Sequence, residues 1–251
     1  MFNKYQKQIY SSVIIAFILG CNMFFSIKAP SVHKNWIRGP KVGSRTVKIL
    51  NPNNGYNGGS GFHVIAPSGR IYILTNAHVC GLRKEGFLDI VVEGSKRKIP
   101  KRVIEIYKKH DLCLVEAVQG IKGIKVAKSI SIGDDIAIVG HPKLNPLSVS
   151  KGEYIGNTYV NIAYSSTKVF AVDKQLESFI KFNPFQNLIR MKIKSMDAFQ
   201  IKAYAQGGSS GSPVVNFYGN LVSVLFAGTP SDPYDSYSVP LKYIKDFLSV
   251  Y

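Results

Sequence analysis

The sequence predicts an all-β fold of barrels or sandwiches closed by one C-terminal helix. Short apolar runs rich in Val, Ile and Leu recur from Thr46 onward, separated by Gly, Pro, Asn and Ser. The chain holds 22 Gly and 12 Pro beside 14 Tyr and 14 Phe, a balance that favours turns and strands over a helical bundle. Helical spacing emerges at the end, where Leu241, Ile244, Phe247 and Leu248 recur on one face. With 251 residues, 45% of them hydrophobic, there is material for one large domain or two small ones.

Each element follows from local chemistry. Thr46–Leu50 reads as a strand that leads into an Asn/Gly-rich loop, residues 51–61. Residues 61–66 and 71–75 flank Pro67-Ser68-Gly69, which makes them a hairpin. Further strands are expected at 88–92, 102–107, 112–116 and 136–139. After Gly140-His141-Pro142 the pattern resumes at 198–203, 213–216 and 221–226. Residues 157–187 are poorly patterned and read as a long insertion.

The net charge is +17, from 32 basic and 15 acidic residues. The densest run, Lys96-Arg97-Lys98 with Lys101 and Arg102, lies in a Gly, Ser and Pro-punctuated stretch and reads as a solvated hairpin. Neither stacking aromatics nor a helix-turn-helix pattern accompanies it, so nucleic acid is not an expected partner. The three cysteines, Cys21, Cys80 and Cys113, are too few for a disulfide scaffold and do not by themselves fix the redox compartment.

Three patterns carry chemistry. Gly59-Ser60-Gly61-Phe62 is followed by Ile73-Leu74-Thr75-Asn76-Ala77-His78-Val79-Cys80, a buried strand ending in a turn that presents a histidine. His110-Asp111-Leu112-Cys113-Leu114-Val115 opens an apolar strand with an acid. Gly207-Gly208-Ser209-Ser210-Gly211-Ser212-Pro213 surrounds a serine with glycines, which let the backbone turn tightly and bring amide N–H groups to a substrate carbonyl.

At these residues the chain resembles the trypsin-like, chymotrypsin-fold serine proteases, above all the bacterial high-temperature-requirement branch. That family reads Gly-Ser-Gly-apolar, then Thr-Asn-x-His-Val, then Asp-apolar-Ala-apolar, then Gly-x-Ser-Gly-x-Pro. The stretch from Ile132 to Pro142 is similar to the one that closes the family's first barrel. The resemblance implies two six-stranded antiparallel barrels packed face to face, residues 46–145 and 146–251 with the helix, and an active site between them. It implies a serine endopeptidase acting on polypeptides through an acyl-enzyme, without metal or cofactor. His78 would be the general base, Asp111 its orienting acid and Ser210 the nucleophile. Backbone N–H groups of Gly208 and Ser210 would form the oxyanion hole. Tyr204, Phe226 and Gly228 align with the walls of the primary substrate pocket.

Departures from the family matter as well. Ser209 replaces the acid that animal members use for zymogen activation, and Ser212 replaces a glycine. Phe226 stands where a small hydroxyl residue often supports the Asp. His110 is expected at the surface, on the opposite face of an extended segment from Asp111. Cys80 and Cys113 each follow a triad member by two residues. Two buried free thiols are the favoured reading over a bond between them. The chain ends after the helix, so no PDZ-like peptide-binding module is expected. A catalytically inactive protease-fold scaffold that binds peptides is the alternative function, and a basic surface binder a third.

Between Lys7 and Lys28 lie 20 consecutive residues without a charged side chain. That suffices for a membrane-spanning helix and exceeds the usual core of a signal peptide. Residues 1–30 therefore read as a membrane anchor or signal segment, preferably an uncleaved anchor, and 31–45 as a linker. Ile18-Leu19-Gly20-Cys21 matches a lipoprotein box poorly because of Leu19. Lys4 and Lys7 precede the segment while Lys28, Lys34, Arg38 and Lys41 follow it. The positive-inside count would keep the body in the cytoplasm, whereas an exported or periplasmic protease requires the reverse. The sequence leaves the orientation open.

Overall fold

The computed structural model describes residues 42–50, 52, 58–81, 86–164, 169–172, 192–229 and 231–251. The uncharged N-terminal segment and most of the linker lie outside them. Among the described residues no helix is long and apolar enough to cross a membrane.

Six antiparallel strands close the first barrel: β1 (Thr46–Leu50), β2 (Gly58–Ile65), β3 (Ile71–Thr75), β4 (Phe87–Val92), β5 (Ile99–Tyr107) and β6 (Leu112–Glu116). Their spatial order is β1-β2-β3-β6-β5-β4, with β4 returning to pair with β1. The expected turn at Pro67-Ser68-Gly69 joins β2 to β3, with Gly69 at φ 84°.

The remaining strands are β7 (Asp135–Gly140), β8 (Ser148–Tyr164), β9 (Val169–Val172), β10 (Lys192–Ala203), β11 (Pro213–Asn216), β12 (Leu221–Gly228) and β13 (Asp235–Val239). They form one seven-stranded sheet in the order β10-β13-β12-β11-β7-β8-β9. A long pairing between β8 and β10 brings this row back on itself, so six strands ring the second core and β9 is added beside β8. Residues 157–164, expected to be insertion, continue β8. Their polar and β-branched residues belong to a ribbon whose partner, β10, is remote in sequence. The helix α1 (Leu241–Leu248) buries the four apolar residues that its spacing singled out.

The apolar runs are continuous because the central strands are buried on both faces. In β3, Ile73 packs into the first barrel while its neighbour Leu74 faces the layer between the sheets. In β6, Cys113 and Val115 point inward and Leu112 and Leu114 join that layer. From the second sheet, Ala137, Val139, Val224 and Phe226 meet them there, while Ile136, Ile138, Val222 and Leu225 fill the second core. Side-chain alternation thus builds three apolar regions from two sheets.

A connecting segment stitches the sheets together. Ile124 pairs with β2 through His63 O and Ile65 N–H, and residues 125 and 127 pair with Leu221 of β12. His63 is fully buried at the start of this seam. Its Nε2 accepts the Val118 N–H at 3.1 Å, so Nδ1 carries the proton and donates to Arg45 O at 3.1 Å. The ring is therefore neutral, and burial holds its pKa below the usual 6.5. Burial lowers those of His110 and His141 as well.

The unfolded chain takes up protons on these rings near pH 6.5, and the folded chain does so only at lower pH. Stability is therefore whole above about pH 6.5 and is lost progressively as pH falls toward the folded-state values. Thermal melts at pH 7.5 and 5.5 should show a lower midpoint at the acid pH, and His63→Gln should flatten that dependence. An unchanged or higher midpoint at pH 5.5 would contradict the reading.

Candidate active site

His78 sits in a turn that begins where β3 ends. The turn is closed by Cys80 N–H to Asn76 O (3.2 Å) and Gly81 N–H to His78 O (3.2 Å), with Gly81 at φ 78°. Asp111 opens β6 from the end of a 3-10 turn, Lys108–His110, and adopts φ 55°, ψ 43°. Left-handed backbone is unfavourable for a side chain with a Cβ, by roughly 1–2 kcal/mol. Here it aims both ends of the residue at the histidine turn. The Asp111 carbonyl accepts Ala77 N–H (3.2 Å) and Asn76 Nδ2–H (3.0 Å). The carboxylate accepts the His78 backbone N–H at Oδ1 (3.0 Å) and the ring Nδ1–H at Oδ2 (2.7 Å). Asp111 is 2% exposed and the His78 side chain 16%. A buried carboxylate on Nδ1 selects the tautomer that leaves Nε2 with its lone pair.

Two expectations about this corner are corrected. His110 is buried, with its ring stacked on Tyr243 of α1 (centroids 3.5 Å apart) and edge-on to Tyr107 (5.1 Å). The alternation argument fails because residues 108–111 are not extended. The side chain of Lys194, from β10, supports the same turn by donating to Lys109 O (2.8 Å) and Lys108 O (3.4 Å). Cys80 and Cys113, expected as free thiols, are joined by a disulfide across 33 residues. Both are buried, as free thiols would be, but β3–β6 pairing sets Thr75 opposite Cys113 and the histidine turn curls Cys80 back onto it. A cross-link over such a loop stabilises by about 3–4 kcal/mol on the chain-entropy argument.

Ser210 lies in the turn before β11. Ser209 N–H bonds Gln206 O (2.9 Å), Ser212 N–H bonds Ser209 O (3.0 Å) and Gly211 N–H bonds Leu225 O (2.8 Å). Gly211, at φ 84°, cannot carry a side chain, since a Cβ would lie 2.1 Å from Ser60 O. Ser212 takes the place of a family glycine without positive φ, and its hydroxyl presses against Gly140. The turn meets the first barrel through Ser60 N–H to Ser210 O (2.8 Å). Gly59 is the shared wall: a Cβ there would lie 2.7 Å from Ser210 O and 2.7 Å from a Val79 methyl, next to His78. This contact brings the serine loop to the histidine turn.

The carbonyl of Gly207 accepts Lys143 N–H (2.5 Å). In a trans peptide C=O and N–H point in opposite directions, so Gly208 N–H faces away from that loop. Among the described residues neither Gly208 N–H nor Ser210 N–H has an acceptor within the protein. The Ser210 hydroxyl donates to Phe226 O at 3.2 Å rather than to His78.

The Phe226 side chain, expected to line the substrate pocket, is fully buried in the layer between the sheets and offers the cleft its carbonyl alone. Tyr204 is buried edge-on to Tyr234, with ring centroids 5.4 Å apart. Gly228 lies opposite Ser236 of β13, whose hydroxyl donates to Ala203 O (3.0 Å). Sequence reasoning missed Ser236 and Tyr234, because the register of β12 against β13 places the first and a bond from Ala203 N–H to Tyr234 O (2.8 Å) the second. It also missed Ser60 as more than part of a glycine turn. Its position between two glycines was the available signal. Among the described residues no cluster of His, Cys, Asp and Glu could hold a metal ion.

Two packed β units with a His–Asp pair on one and a glycine-flanked serine on the other define a chymotrypsin-type peptidase domain. Residues 59–224 match the model of the trypsin-like peptidase domain, and the chain belongs to that family. It is 30% identical over 196 residues to a serine protease HtrA-like protein of Staphylococcus aureus strain USA300, and 29% to that of strain MRSA252. The match covers 76% of this chain, which spans 23% of the length of those relatives. The fold is similar to the active form of the Rv3671c protease of M. tuberculosis (TM-score 0.62, 18% identity, covering 89% of this chain and 88% of that one). It is also similar to a serine endoprotease of Yersinia pestis (TM-score 0.60, 16% identity, covering 89% and 68%).

Proposed function

We propose that this chain is a serine endopeptidase that cleaves polypeptides through an acyl-enzyme, with His78, Asp111 and Ser210 as its triad. The observation that carries this reading is the buried Asp111 carboxylate on His78 Nδ1, together with a serine turn that is bonded to β2 through Ser60 N–H and has, among the described residues, two amide N–H groups without an acceptor. Ser210 Oγ leaves Phe226 O by rotation about its Cα–Cβ bond and attacks the scissile carbonyl as His78 Nε2 takes its proton. Asp111 stabilises the imidazolium without being protonated itself. The N–H groups of Gly208 and Ser210 hold the oxyanion. Collapse of the tetrahedral species breaks the C–N bond, and His78 returns the proton to the leaving amine. Water then repeats the sequence and frees the acid.

The resting hydrogen bond from Ser210 to Phe226 O favours one rival, a protease-fold scaffold whose serine never engages His78. A fluorophosphonate probe separates the two. Stoichiometric labelling at Ser210, with turnover lost by about 10⁶ in Ser210→Ala and the fold retained, is expected. An Ala variant with most of the activity would mean another nucleophile, and absence of labelling in the unmodified chain would favour the scaffold.

The substrate pocket is read from Tyr204 to Gly208 and from Leu225 to Gly228. Neither wall contains a carboxylate, and burying a substrate cation without a partner is costly. Tyr204 limits depth, and Gly228 keeps the entrance open. Small and medium apolar side chains before the scissile bond should be preferred by about 1–3 kcal/mol over basic ones. Cleavage profiling on a denatured protein mixture checks this, and dominant cutting after Lys or Arg would refute it.

The catalytic body belongs outside the cytoplasm, attached through the N-terminal segment. The uncharged 20-residue stretch supports attachment, and the Cys80–Cys113 bond supports an oxidising compartment. Full-length protein should fractionate with membranes with both thiols resistant to alkylation, while a chain beginning at Lys34 should not. Recovery of both in the soluble cytosol with reactive thiols would remove the assignment.

A further inference from the structure

We infer that Ser60 is a positioning residue that sets the oxyanion hole, an assignment that rests on the endopeptidase reading above. Ser60 lies on β2 in the first barrel, fully buried, while the groups it holds belong to the serine turn of the second sheet. Its backbone N–H donates to Ser210 O at 2.8 Å. Its hydroxyl donates to Gly208 O at 2.9 Å and accepts the His141 N–H at 2.9 Å. Thr75 Oγ1 donates to the Ser60 carbonyl at 2.7 Å, which fixes the residue from behind. One side chain thus touches the carbonyl of one proposed oxyanion residue while its main chain holds the other.

The hydroxyl has a single proton, so its two bonds form a directed relay from His141 N–H through Ser60 Oγ to Gly208 O. Both ends need it. Gly208, at φ 88° between Gly207 and Ser209, has no Cβ to resist rotation of its peptides. The loop that holds the other side of Gly208 is itself strained. Lys143 and Leu144 adopt φ 53° and 58°, and Lys143 N–H binds Gly207 O. Ser60 ties the start of that loop, at His141, to the glycine it steadies. Without the hydroxyl, His141 N–H is left buried and unpaired, and the half-buried Gly208 O loses its partner. Turning the Gly208 peptides is the direct way to re-pair them, and it carries Gly208 N–H out of the hole.

Ser60→Ala removes the relay but keeps the main-chain bond to Ser210. Ser60→Cys keeps the shape with a weaker donor. The readouts are steady-state kinetics on a peptide ester, inhibition by a peptide boronate, which becomes tetrahedral and anionic at the serine, and the pH profile of kcat/KM. In Ser60→Ala, kcat/KM should fall about 10- to 100-fold, less than the roughly 10²- to 10³-fold lost when a hole donor is removed outright. Boronate affinity should fall by the same factor, KM should stay within about threefold, and the acid limb of the profile should not move. Ser60→Cys should lie between, and it carries the measurement if the alanine variant does not fold.

Kinetics and boronate affinity within about twofold of the unmodified protein would overturn the assignment. So would a loss of kcat/KM with boronate binding intact, which would place the damage elsewhere. If the unmodified chain does not label with fluorophosphonate, the endopeptidase reading fails by itself. A crystal structure of Ser60→Ala then decides the positioning role: an unturned Gly207–Gly208 peptide overturns it.

Discussion

The hydrogen bond from Ser60 N–H to Ser210 O, a main-chain contact between the two sheets, is the constraint on which the rest of the site depends. At this crossing the two backbones meet only because side chains are missing. Cβ atoms at Gly59 and Gly211 would stand 2.7 Å from Ser210 O and 2.1 Å from Ser60 O, and one at Gly140 would overlap the Ser212 hydroxyl. These glycines belong to three separate segments and serve one close approach. Because the approach is backbone to backbone, it fixes the serine turn with little room for side-chain rearrangement. In the proposed mechanism the amide N–H groups of Gly208 and Ser210 are thereby set for the oxyanion in advance.

Asp111 shows how strain is held in place at the same site. Its left-handed backbone costs roughly 1–2 kcal/mol, and four hydrogen bonds from the Asn76–His78 turn engage its carbonyl and carboxylate. Lys194 of the second sheet then braces the turn before it through the Lys109 carbonyl, and Tyr243 of α1 does so through the His110 ring. Tyr243 is itself anchored by its hydroxyl on Asp197 of β10. The acid of the first barrel is thus supported by the sheet that carries the serine. The disulfide adds a covalent tie between the strand after Asp111 and the turn after His78.

The fold was legible where one strand's own sequence met a dry environment on both faces. Ile73-Leu74, Leu112 to Val115 and Ile136 to Val139 are apolar at successive positions because each strand sits between a barrel interior and the layer between the sheets. Turn chemistry marked the hairpin at Pro67-Ser68-Gly69 and the glycines around Ser210. None of β8, β9 and β13 was legible, nor was the first half of β10. Residues 157–164 and 235–239 contain Asn, Thr, Ser and Tyr without clean alternation, and they are strands because partners distant in sequence pair with them.

What the sequence by itself determined is the set of chemical groups and their order: a histidine ending a buried strand, an acid opening another, and a serine among glycines. These are local properties, carried by residue type and spacing within a few positions. Tertiary structure alone decided which atoms face each other. It turned His110 from the surface into a stack with Tyr243, closed Cys80 onto Cys113, buried the Phe226 ring and left only its carbonyl at the cleft, and made Ser60 the meeting point of His141 and Gly208. Each of these depends on strand register and on a left-handed or glycine-permitted turn. A shift of one residue in pairing reverses which face a side chain occupies, and that information resides in the partner strand.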